Sequence, residues 1–131
     1  MVDVLRKELR VSFDEAVKRV ETACTDEGFG LLATKNLDQI FRERLGVTNY
    51  PRYTMVLACA PQLAKMALDV SKDVGTLFPC SFVVYEENNR VFVAHTSIMK
   101  TAVETGLATA EAMRPVIDAT SKKVRAVWDR I

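Results

Sequence analysis

The side chains best suited to chemistry in this sequence are three cysteines, Cys24, Cys59 and Cys80, and a single histidine, His95. Cys24 follows Phe13, Val17 and Val20 at helical spacing, so it is expected to lie inside as a small hydrophobe. Cys59 and Cys80 each sit near a proline at the end of an apolar run, where functional groups often emerge onto loops. Cys59 stands just before Pro61, a residue suited to the first turn of a helix. A thiol aimed at that helix N-terminus would have its thiolate favoured. His95 is then a base within the same chemistry. Two sharp readings follow. One is a thiol site in which Cys59 or Cys80 carries sulfur or senses oxidation. The other is a soft-metal site with Cys59, Cys80 and His95 as ligands. The plain reading is two core thiols and a histidine bonded to backbone. No CxxC, HExxH or paired metal spacing is present, and no cofactor is specified.

Other reactive patterns are missing. Gly28-Phe-Gly30 and Thr105-Gly-Leu lack the spacing of a phosphate loop, there is no GxSxG, and one histidine leaves few routes to a triad. Glu86 and Glu87 are adjacent in a turn and read as a solvated tip. Tyr53, with Tyr50 and Arg52 at a loop-to-strand junction, is a further ligand-binding candidate, weighed against ordinary turn packing. Arg42, Arg44, Lys122, Lys123 and Arg125 lie among acids on helices and read as solvated faces.

The elements that must position Cys80 and His95 are two β-rich runs, Ser81 to Tyr85 and Arg90 to Thr96, around Glu86-Glu87-Asn88-Asn89. Asn tolerates positive φ, so this is a hairpin signal. With Asn88-Asn89 as a two-residue turn, Tyr85 faces Phe92, Val84 faces Val93, Phe82 faces His95 and Cys80 faces Ser97. Cys80, Phe82, Val84, Val91, Val93 and His95 then share one face, with Cys80 and His95 diagonal neighbours. A one-residue change in the turn would flip this arrangement.

Elsewhere, Val2 to Val11 reads as a strand. Ser12 to Glu15 is a capping box that starts a helix ended by Gly28. Phe29 to Thr34 is a strand and Asn36 to Leu45 a helix, with Leu37, Ile40, Phe41 and Leu45 inward. Tyr53 to Cys59 is a strand, and the helix after it buries Leu63, Met66, Ala67 and Val70. Ile98 to Thr105 is a short helix. The last helix starts near Leu107, with Pro115 kinking or dividing it, and Ile117, Thr120, Val124, Trp128 and Ile131 on one stripe. The order β-α-β-α-β-α-β-β-α predicts an α+β two-layer sandwich. Its sheet is mixed or mostly antiparallel, with helices on one face. The uncovered face points to a homodimer.

Length and composition set the frame. The 131 residues make one α+β domain, 1–131. Lys and Arg total 18 against 17 Asp and Glu, a balance that argues against a general nucleic-acid binder. No apolar stretch approaches the roughly 20 residues of a membrane span. Asp3, Arg6, Lys7 and Glu8 interrupt any signal-peptide pattern, and an odd, small number of cysteines is no disulfide framework. The expected location is the cytoplasm.

Gly28-Phe-Gly30, the run Tyr53 to Pro61 (YTMVLACAP), and Leu77-Phe-Pro-Cys80 with Ser81 to Glu86 resemble the domain of unknown function 302 family. The resemblance covers Val4 to Glu111. The sequence departs from the commoner pattern at Ala60 and Ser81, where the family often has Asn. The resemblance implies a compact α+β sandwich and a homodimer, and it implies no particular activity. Together these readings favour a binding or accessory module with its site near Cys59 and Cys80, taking a small ligand or soft metal. The alternatives are a thiol-dependent sulfur carrier or redox enzyme using the same cysteines, and a purely structural or regulatory dimer.

Overall fold

The computed structural model describes residues 2–131. Five strands form one sheet: β1 (Val4–Leu9), β2 (Gly30–Asn36), β3 (Tyr53–Cys59), β4 (Cys80–Glu87) and β5 (Arg90–Thr96). Five helices connect and cover it: α1 (Phe13–Asp26), α2 (Leu37–Leu45), α3 (Pro61–Val70), α4 (Ile98–Glu104) and α5 (Ala110–Arg130). A 3₁₀ turn, Lys72–Leu77, follows α3. The strand order is β1-β5-β4-β3-β2, and every neighbouring pair is antiparallel. This is the expected α+β sandwich, resolved to an all-antiparallel sheet.

Local sequence signals account for most boundaries. Ser12 caps α1 by accepting from the Glu15 amide at 3.1 Å, while the Glu15 carboxylate lies 3.9 Å from Arg19. Gly28, with φ of +87°, closes the helix and lets the Phe29 amide reach back to the Cys24 carbonyl at 2.9 Å. Asn88 and Asn89 have φ of 53° and 61°, the two-residue turn whose twist matches paired strands. Phe82 therefore faces His95, Val84 faces Val93 and Tyr85 faces Phe92, in the register the turn dictates.

Three expectations about helices need correction. The apolar side of α2 does not enter the core: no residue of α2 is buried, and Leu45 is 70% exposed. α2 joins two adjacent antiparallel strands, and β3 is the element it chiefly touches, so its stripe meets no layer. Met66 of α3 is also exposed, and Ala67 carries the burial of that helix. In α5 the fully covered residues are Met113, Val116, Val124 and Val127, and Ile117, Trp128 and Ile131 of the expected stripe pack partly buried against the two clusters. Pro115 neither starts nor divides α5. It lies early in the helix and exposed, and the one ladder bond it forfeits belongs to the solvent-side Glu111 carbonyl.

The interior has two parts. The main cluster packs α1 and the end of α5 on the sheet, with Phe82, Val56, Val84, Val93 and Val20 fully buried. A second cluster joins α3, the 3₁₀ turn, α4 and the start of α5 through Ala67, Val74, Met99, Ala102, Met113 and Val116. Among the described residues α1 is the helix that meets β3, β4 and β5 together, and the opposite face of the sheet carries a row of aromatic side chains. Tyr53, Tyr85 and Phe92 stack across it, with centroids 5.9 and 5.5 Å apart. Met55 and Val83 are register partners in the next row, and Val83 in turn faces Ala94.

Candidate functional site

A pocket of about 120 Å³ opens at the seam between the two hydrophobic clusters. By the same measure a single water needs roughly 10–15 Å³, so the space suits a ligand of about ten heavy atoms. Phe29, Leu63, Ile98 and Met99 contribute apolar wall, and the Phe78-Pro79 segment, joined by a cis peptide, lines it as well. Cys59, Cys80 and His95 all line this one space. The sheet brings them together: Ala58 pairs with Cys80 across β3 and β4, and Phe82 pairs with His95 across β4 and β5.

Their chemistry is set by burial. Burial pushes the Cys80 thiol up to about 12, and the proximity of Cys24 and Cys59 adds to the effect. Cys24, inside the main cluster, is likewise pushed up to about 12 by burial. Neither is a resting thiolate at neutral pH. Cys59 ends β3 immediately before Ala60, the N-cap of α3, and is only partly covered. Ala60 makes no side-chain capping bond, where an Asn would supply one. All three cysteines are free.

His95 is 5% exposed and stacks on Phe82 at 4.2 Å. Its Nδ1 lies 2.8 Å from the Ser81 carbonyl, which can only accept, so Nδ1 carries the proton and donates. Nε2 is left as an acceptor in the neutral ring. Burial lowers the pKa of His95, and the Ser81 bond opposes that in part. The backbone-bonded histidine of the plain reading is thus present, on the wall of a pocket. Among the described residues, no three His, Cys, Asp or Glu side chains converge to hold a metal ion.

Tyr53 is not brought to this site. It opens β3 while Cys59 closes it, about 20 Å away at the usual rise per residue. Tyr53 instead belongs to the aromatic row on the outer sheet face. Arg52 lies over the Phe13 ring at 4.1 Å and pairs with Asp14 at 2.7 Å, tying that loop to the start of α1. Sequence reasoning missed Thr120 as a site residue. It lines the pocket, and its Oγ1 is buried with no hydrogen-bond partner among the described residues. The available signal was a hydroxyl placed in an otherwise apolar helical stripe.

Fold and site together define an antiparallel α+β sandwich with a small apolar pocket at the strand ends, bordered by two thiols and a neutral imidazole. The family model described as "Domain of unknown function DUF302" matches residues 5–131, and the chain belongs to that family. Among solved structures, it is similar to the uncharacterized conserved protein DUF302 from Bacillus stearothermophilus. That likeness has a TM-score of 0.84 at 23% identity, over 97% of this chain and 96% of the other. No curated protein matches.

Proposed function

We propose that this chain is a homodimeric binding or accessory module that holds a small, largely apolar ligand in the pocket between the Cys59 strand end and the Cys80 hairpin. The observation that carries this reading is the pocket itself. Its walls are predominantly apolar, and its few polar groups converge on one side, the usual make-up of a small-molecule site. The same observation weighs against a thiolate at Cys80, because a wall that excludes water also disfavours charge. A sulfur-carrier or redox reading therefore rests on Cys59.

The dimer is proposed from the outer sheet face. Tyr53, Tyr85, Phe92, Met55, Val83 and Leu57 form an apolar strip across the inner strands. Arg6, Glu8 and Lys35 stand on the flanking strands β1 and β2. Such a strip, apolar in the middle and charged at the rim, suits a second copy of itself related by a two-fold axis. Among the described residues no helix is long and apolar enough to cross a membrane. Three free thiols fit a reducing compartment, so the cytoplasm is the proposed location.

The test is native mass spectrometry of freshly purified protein beside its Val83→Arg variant. The proposal expects a dimer from the wild-type chain and a folded monomer from the variant, whose two buried guanidinium groups would face each other across the interface. A wild-type monomer would sink the dimer, and so would a variant that dimerises equally well.

A further inference from the structure

We propose that the ligand is a small monocarboxylate, with its apolar body in the pocket at Cys59 and Cys80 and its carboxylate in the adjoining basic cleft. This rests on the pocket being a ligand site, and it adds the class of ligand.

The second cavity, of about 260 Å³, lies beside the first, and His95, Ser97 and Thr120 line both. The character changes across that shared wall. On one side are Phe29, Leu63 and Met99; on the other Lys100, Arg125 and Ser121 stand among Leu5, Val124 and Trp128. Lys100 and Arg125 come from different helices, α4 and α5, and neither has an ion pair among the described residues. Among the described residues Asp3 is the one carboxylate lining the cleft, so their charge there is two positive against one negative. One added negative charge balances that set, and a dianion would overshoot it.

The shared wall supplies the polar groups an acid head would need on entering. Thr120 Oγ1 has no partner among the described residues, and buried hydroxyls normally have one. Ser97 Oγ accepts from the Lys100 amide at 3.2 Å, so its own proton remains to donate. A ligand of about ten heavy atoms fills the first space and places its terminal group at this wall.

The experiment compares octanoate with 1-octanol, the same chain with and without the charge, by calorimetric titration of the intact protein at low salt. The proposal expects both to bind, with octanoate about tenfold tighter, the scale of two partly exposed charge contacts. The Lys100→Gln/Arg125→Gln double variant should lose that preference while its affinity for 1-octanol is unchanged. Equal affinities for wild type would overturn the inference and leave the apolar pocket standing. A preference for octanoate that survives in the double variant would also overturn it, since the charge would then be read elsewhere. Failure of both probes to bind would defeat the pocket reading itself.

Discussion

Replacing Thr120 by Val should stabilise the protein. Among the described residues Thr120 Oγ1 is buried without a hydrogen-bond partner, with the buried Val116 and Val124 one turn away on either side. Burying a hydroxyl in this state costs about 1–3 kcal/mol relative to leaving it in water. Val has the same branched shape and nearly the same helix propensity as Thr, so the exchange removes that cost and leaves the backbone terms almost unchanged. The residue as a whole is only half-buried, which places the gain at the low end, about 1 kcal/mol. For a domain of this size that raises the Tm by about 4 °C. The assay is urea unfolding of both proteins, read as a rise in the midpoint at constant slope. A lower midpoint at the same slope would refute the reasoning, because it would mean that the hydroxyl has a partner in solution.

Three further outcomes follow from the same geometry. Iodoacetamide should label Cys59 in the native protein at least about tenfold faster than Cys24 or Cys80, by peptide mass mapping, because burial pushes the latter two up to about 12. Cys80 labelling as fast as Cys59 would contradict the placement of its thiol. Stability should fall as the pH drops below about 6.5, because the unfolded chain takes up a proton there that buried His95 resists until its lowered folded-state pKa is reached. The slope from this group is at most about 1.4 kcal/mol per pH unit, and His95→Gln should abolish that share of it. Leu45→Lys should change stability by less than about 0.5 kcal/mol in urea unfolding, since Leu45 touches no core; a loss of 2 kcal/mol would restore α2 to the interior.

The hairpin was legible because its determinants are local. Two asparagines that accept positive φ fix the turn, and the turn fixes every pairing up to Phe82 and His95. The meeting of Cys59 and Cys80 followed only from the assembled sheet, since it depends on β3 pairing with β4 across an intervening helix. The inward face assigned to α2 was wrong for a general reason. Amphipathic spacing says which side of a helix is apolar, and it does not say that another layer lies against it. Tyr53, a candidate at the opposite end of β3, stands apart from the cysteines because the length of the strand separates its two ends. The second cluster, and with it the seam that forms the pocket, depends on where the long α5 lies against α3 and α4. That packing involves side chains from four separate stretches of chain, and no local pattern encodes it.

The central claim is that the seam at Cys59, Cys80 and His95 takes a small apolar guest. The most direct measurement is titration of ¹⁵N-labelled protein with 1-octanol, followed by NMR of the amides and of the single imidazole. The account predicts saturable shifts at Cys59, Leu63, Cys80, Met99 and the His95 ring, with Tyr85 and Phe92 on the outer sheet face undisturbed. Shifts confined to the outer face, or none at saturating octanol, would contradict it.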